Sequence, residues 1–219
     1  MRKILASFDA ATLDNEAKLD TAHSRMEQLE MTANVMFDNI VGAGLSPADS
    51  LLVERAQSAA REIAELTEAA IKTGELAESA LFDRDYQLIP GSEPKRFATR
   101  LMPWAHRSWR PVYDRIVASD RQIMAVACTD MNGHLPAHLS QFSREPNGDK
   151  AHDTKHCRNG RIILDAIDRK AKESRAPYMM AVYRQEGDGR SYKVVRNVYV
   201  PLEIAGRRWG DLELAYSFG

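Results

Sequence analysis

The sequence predicts an α+β protein: a long N-terminal helical hairpin, paired as a coiled coil or four-helix-bundle dimer, then a five-stranded antiparallel sheet with covering helices. Three observations predict it. Residues 1–40 contain no Gly or Pro and repeat apolar and small side chains in steps of three and four. The stretch "GAGLSPADS" at 42–50 ends that run and opens a second with the same repeat. From about residue 122 onward, short apolar runs are separated by turn sequences.

In the first run, Leu5, Thr12, Leu19, Met26, Ala33 and Ile40 share one heptad position. Phe8, Asn15, Ala22, Leu29 and Met36 share the other. A repeat sustained over about five heptads favours a coiled-coil-like stripe, and Asn15 within it is suited to fixing register. Gly42 and Gly44 end the helix, and Ser46 before Pro47 is an N-cap followed by proline at the first helical position. The second helix spans about 47–73, with Leu52, Ala56, Ala59, Ile63, Leu66 and Ala70 on one stripe and Gly74 at its end. Two helices joined so closely form an antiparallel hairpin, and two hairpins form a bundle. Packing onto the rest of the chain is the alternative. A first helix of roughly 60 Å is too long for a small domain to cover, which favours a homodimer. The domain division is 1–75, a dimerisation and signalling stalk, and 76–219, the sheet domain.

Residues 81–94 read as an irregular link. "KRFATRLMPWAHRSWRPVYDRIVASD" is amphipathic and helical, interrupted by Pro103 and Pro111. Its Phe97, Trp104, Trp109 and Tyr113 are expected to cover one face of the sheet. "QIMAVACTD" is a strand, "MNG" a hairpin turn, and "HLPAHLSQFS" a second strand, bent or at an edge because of Pro136. Residues 144–160 read as loop and "RIILDAIDRKAKES" as a short helix. Three strands follow, turning at "GDGR" and "AGRR". One sheet face would carry helices and the other would enclose a cavity.

A formal net charge of −1 offers no basic excess to neutralise phosphates, which argues against nucleic acid. No apolar run approaches a membrane span, and the N-terminal stretch lacks the apolar core of a signal peptide. These features point to a cytoplasmic location and to reduced thiols at Cys128 and Cys157. There is no G-x-S-x-G, P-loop or H-E-x-x-H, and no nucleophile–base arrangement, so an enzyme is not expected.

Four stretches, "FDRDYQLIPGSEPKRFATR", "DMNGHLPAHLSQFS", "HCRNGRIILD" and "VYVPLEIAGRRWGDLELAY", resemble a PAS/Cache-like sensory region of bacterial methyl-accepting chemotaxis proteins. Asn132, Gly133, His138, Arg158, Asn159, Arg161, Gly206, Trp209 and Gly210 fit the pattern. Leu139 stands where the family has Asn, and Asp165-Ala166 where it has paired acids. The long Glu/Gln-rich hairpin that contacts kinase and adaptor is missing, so the chain reads as a receptor fragment or a stand-alone sensor. The resemblance implies a ligand-sensing domain and chemotaxis signalling proteins as partners, and it does not identify the ligand.

Three groups of residues are candidates. His152, His156 and Cys157 lie within six residues. With His134, His138 or Cys128 they suit zinc or haem iron, although the spacing is looser than in structural zinc sites and loop histidines are the simpler reading. Arg158, Asn159 and Arg161, entering a helix, suit an anion such as a carboxylate; alternatively the arginines pair with Asp130 or Asp165. On the first strand Met124, Val126 and Cys128 face one way, and Ala125, Ala127 and Thr129 the other. His138 and Tyr183 are placed to offer polar contacts inside an apolar cup to which Cys128 also contributes as a ligand-binding residue, and a core filled by side chains is the alternative. The expected function is a small-molecule sensor signalling through paired helices. The competing readings are a ligand-free dimerisation and docking module, and a haem or metal redox sensor. No cofactor is assigned.

Overall fold

The computed structural model describes residues 2–186 and 192–218. Its first helix, α1 (Arg2–Gly42), is followed after a four-residue turn by α2 (Pro47–Thr73). Ser46 caps no backbone amide; its hydroxyl donates to the Asp49 carboxylate. Gly74 ends α2 in the left-handed conformation (φ 76°), a region that glycine enters without a Cβ penalty.

Leu52, Ala56, Ala59, Ile63 and Ala70 are all buried, as the stripe predicts, but their partner is not α1. They pack on the sheet and on α4 (Met102–Ser119), in one continuous core. The two helices therefore diverge after their turn instead of forming the expected hairpin. Near its C-terminal end α1 docks by polar side chains on the edge strand β4 (Met179–Glu186). Asp38 accepts from the Met180 amide at 2.7 Å and Asn34 from the Val182 amide at 2.5 Å. These contacts satisfy an edge that would otherwise be open to another strand. Among the residues whose side chains are described, from 12 onward, the remaining apolar stripe of α1 is uncovered, with Leu19 and Leu29 each 69% and Met26 60% exposed.

The link contains α3 (Glu78–Leu81) and a two-stranded pair, β1 (Gln87–Leu88) with β2 (Phe97–Ala98). In α4, Pro103 sits in the first turn, where a missing amide is harmless, and Pro111 lies inside the helix. The aromatic face covers the sheet as expected. Trp109 is fully buried, donates to Thr67 Oγ1 at 2.9 Å and meets Trp209 edge-on at 5.0 Å.

The main sheet has four strands: β3 (Ile123–Asp130), β4, β5 (Tyr192–Ile204) and β6 (Arg207–Tyr216), in the antiparallel order β3-β6-β5-β4. The expected fifth strand, "HLPAHLSQFS", is absent from it. The turn at Asn132-Gly133 forms, but the chain then pairs with the loop at 160–163 instead of running back along β3. Leu135 donates to Arg161 O and Gly160 to Leu135 O, and Ser140–Phe142 is a 3-10 turn. Pro136 has no amide to contribute to a ladder. The same pairing keeps Arg161–Leu164 out of the following helix, α6 (Ala166–Glu173), which starts at an Asp165/Asp168 capping box. The expected loop also holds a short helix, α5 (Lys150–His156). Ala205 and Gly206 make the β5–β6 turn with φ of 52° and 68°. The expected "GDGR" turn lies outside the described residues.

Period-two alternation gives the sheet two unlike faces. Val126, Cys128, Val198, Val200, Leu212, Leu214 and Tyr216 face α2 and α4 and form the core. Thr129, Asn197, Tyr199, Asp211 and Glu213 face the opposite side, covered by α6 and the 131–165 segment. Tyr216 also donates to Asp49, which fastens the start of α2 to the last strand.

Candidate functional site

The second face is polar where an apolar cup was expected. Lys172 of α6 donates to Thr129 Oγ1 at 2.8 Å and pairs with Asp211 at 3.1 Å, both fully or almost fully buried. Thr129 donates in turn to Glu213 Oε1 at 2.6 Å. Arg208 pairs with the other oxygen of Asp211, and Tyr199 donates to Asp168 at 3.0 Å. These bonds clamp α6 to the sheet and give most of the buried charges a partner, as a low-dielectric setting requires.

Glu213 has the strongest functional character of this group. Burial and the nearby Asp168 push its carboxyl up to about 7, with Lys172 opposing them. Although deep in the protein, it keeps some solvent-accessible surface.

Arg158 is near enough to feel its charge. Its backbone amide is held by Phe142 O at 2.8 Å, and its guanidinium lies 5.7 Å from the centre of the Phe142 ring. Burial lowers the pKa of the guanidinium, while the charges of Tyr183 and Glu213 raise it. Among the described residues, no hydrogen bond or ion pair engages that guanidinium. It pairs with neither expected acid: Asp130 is taken by Arg84 and Tyr86, and Asp165 caps α6. Nor does it enter a helix, since α6 begins eight residues later. The expected anion site at a helix N-terminus is thus replaced by a free fork over a polar sheet.

The other candidate residues separate clearly. Tyr183 on β4 is 41% exposed and electrostatically coupled to Arg158. His138 is 3% exposed and meets the Phe142 ring edge-on at 5.0 Å. Burial, reinforced by Arg158, lowers its pKa to about 3, so it is neutral; Nδ1 accepts from the Leu139 amide. Asn159 approaches His106 at 3.2 Å, and its buried Oδ1 has no partner. Arg161 donates to Thr154 O at 3.2 Å. Cys128 lies on the other face of the sheet beside Tyr113, its thiol pKa raised by burial, and is separated from Arg158 by the sheet itself. His134 is taken up by Phe97 O at 2.9 Å. His156 approaches Gln141 O at 3.2 Å, while His152 and Cys157 converge on Asp153 instead of on the hairpin histidines. Two clefts open elsewhere, about 540 Å³ between α2 and β5 and about 870 Å³ between α1 and α6.

Sequence reasoning did not single out Lys172, Asp211 or Glu213. Each is an ordinary charged residue in its own segment, and only the register Thr129↔Asp211 brings them together.

No family model matches the chain, and no curated protein matches it. Among solved structures it is similar to the ligand-binding domain of the Campylobacter jejuni chemoreceptor Tlp3 in complex with L-valine, at 12% identity and a TM-score of 0.33. The match covers 82% of this chain and 62% of that one, so the chain spans about three-fifths of that domain. No helix of the described residues is long and apolar enough to cross a membrane.

Proposed function

We propose that the chain is a non-enzymatic bacterial sensor module that binds a small carboxylate on the polar face of its sheet. Arg158 is the anion fork, Tyr183 a hydroxyl donor beside it, and Glu213 the floor. Neutral His138 backs the Phe142 ring on which the guanidinium rests, while Asn159 and Arg161 hold the loop in place. Cys128 is not part of this site.

The observation that carries the reading is the largely buried guanidinium of Arg158 with no engaged partner among the described residues. Desolvating such a charge is costly. A ligand carboxylate offsets that cost with two charge-assisted hydrogen bonds. Transmission follows from where Tyr183 lies. It sits on β4, and β4 is the strand whose edge amides are held by Asn34 and Asp38 of α1. A ligand that binds one position of β4 more tightly than another biases α1 by that difference in affinity, and by no more.

The uncovered stripe of α1 suits a second copy of this chain, which would make α1, without α2, the dimerisation and signalling element of a cytoplasmic, chemotaxis-receptor-like assembly. The same stripe favours the second reading, a dimerising docking module that binds no ligand.

A thermal-melt screen against small organic acids separates the two. A ligand at a hundred times its Kd stabilises the folded state by about 2.7 kcal/mol, which raises Tm by several degrees. Arg158→Ala should abolish that rise while leaving the unliganded Tm within a few degrees of wild type. No shift with any acid, or a shift that survives in Arg158→Ala, overturns the carboxylate site.

A further inference from the structure

The crossover between β3 and β4 holds a second group of convergent ligands. His152, Asp153 and Cys157 each present one donor atom, and these atoms all lie within 4.8 Å of one another. Asp153 Oδ1 is the hub, 2.9 Å from His152 Nδ1 and 3.7 Å from Cys157 Sγ. We infer that these three side chains form a binding site for a soft divalent transition-metal ion of the zinc class, with the fourth position left to solvent.

The geometry is close to what such an ion needs. Bonds of about 2.0–2.3 Å to N, O and S place the ligand atoms of a tetrahedral site about 3.3–3.7 Å apart. The carboxylate–sulfur separation already matches; the imidazole has to retreat from Asp153 by a few tenths of an ångström and close on the sulfur, from which it lies within 4.8 Å. Both contacts to Asp153 are hydrogen bonds that an ion replaces. The thiol releases its proton to solvent, and the imidazole binds through the Nδ1 lone pair with its proton on Nε2. One divalent ion then balances one carboxylate and one thiolate, so the buried site carries no net charge.

The carboxylate is also held in place from outside. Asn147 N donates to Oδ1 at 3.0 Å and Gly148 N to Oδ2 at 3.2 Å, the outer support that metal ligands commonly have. Cys157 is 1% exposed and cannot swing away, whereas the His152 side chain is 24% exposed and leaves a path for entry. The ligand set of thiolate, imidazole and carboxylate favours zinc, cobalt or nickel over calcium or magnesium, which prefer oxygen alone. Burial and the Asp153 carboxylate raise the pKa of the Cys157 thiol, so it keeps its proton until a cation displaces it. His156, which sequence reasoning grouped with these residues, stacks 5.0 Å from His152 but does not converge on the same point.

Cobalt reports directly on this site. The full chain, stripped with chelator and titrated with Co²⁺, should develop thiolate-to-cobalt charge-transfer absorption that saturates at one equivalent and is displaced by Zn²⁺. Cys157→Ser should remove that band. His152→Ala, a change at the accessible ligand that leaves the fold intact, should weaken binding by at least about tenfold. If Cys157→Ser fails to fold, the His152→Ala result decides alone. Absence of the thiolate–cobalt band in the wild type, its persistence in Cys157→Ser, or unchanged affinity in His152→Ala overturns the inference. None of these readouts depends on the carboxylate site at Arg158.

Discussion

Glu213→Gln is the substitution whose effect follows most directly from the arrangement on the sheet. The amide oxygen of glutamine still accepts from Thr129, so the bond at 2.6 Å is kept and only the ionisable proton is lost. In the folded protein the Glu213 carboxyl is pushed up to about 7 from its ordinary value of 4.5, first by burial and then by Asp168. Between those pH values the native state holds a proton that the unfolded chain has released. Stability therefore falls as pH rises through that window. A displacement of this size corresponds to at most about 3 kcal/mol, reduced by the solvent contact Glu213 retains. Urea unfolding of both proteins at about pH 5, 6, 7 and 8 measures it. The two should be nearly equal at about pH 5, and the variant should be more stable at about pH 8 by roughly 2–3 kcal/mol. A stability difference that does not change across that range would refute the assignment of a protonated, buried Glu213.

Two further substitutions test the frame. Gly133→Ala places a Cβ 2.1 Å from the Ile163 carbonyl oxygen at a φ of 78°, so the turn must break its contact with the loop. A loss of more than about 2 kcal/mol in urea unfolding is expected, and a neutral result would contradict the pairing drawn for 131–163. Replacing Met26 and Leu29 together by Glu on the uncovered stripe of α1 should convert a dimer to a monomer in sedimentation equilibrium, with little change in far-ultraviolet circular dichroism. An unchanged oligomeric state would remove that stripe from any dimer interface.

The features legible in the sequence were the local ones. Pro47 and Gly74 bound α2 because a fixed φ and a left-handed residue act within one turn. The period of the apolar stripe on α2 showed which side is buried, but not that a sheet, instead of another helix, would cover it. The lost fifth strand shows the same limit. "HLPAHLSQFS" has strand-like alternation, yet its partner is the loop at 160–163, and nothing local in either segment announces that pairing. Cys128 was correctly grouped with Val126 and separated from Thr129, but alternation cannot say which set faces α2 and α4 and which faces α6. Arg158 was singled out from its motif. Glu213, 55 positions further on, was not, because a charged residue in a strand reads as a solvated one until the register places it under α6.

The central claim is that Arg158 holds a carboxylate above Glu213. Its most direct test is the electron density of crystals grown with the acid that gives the largest thermal shift. The account predicts density for a carboxylate bridged by both guanidinium nitrogens of Arg158, with the Tyr183 hydroxyl beside it. A guanidinium ion-paired to one of the protein's own carboxylates, with no density over Glu213, would contradict it.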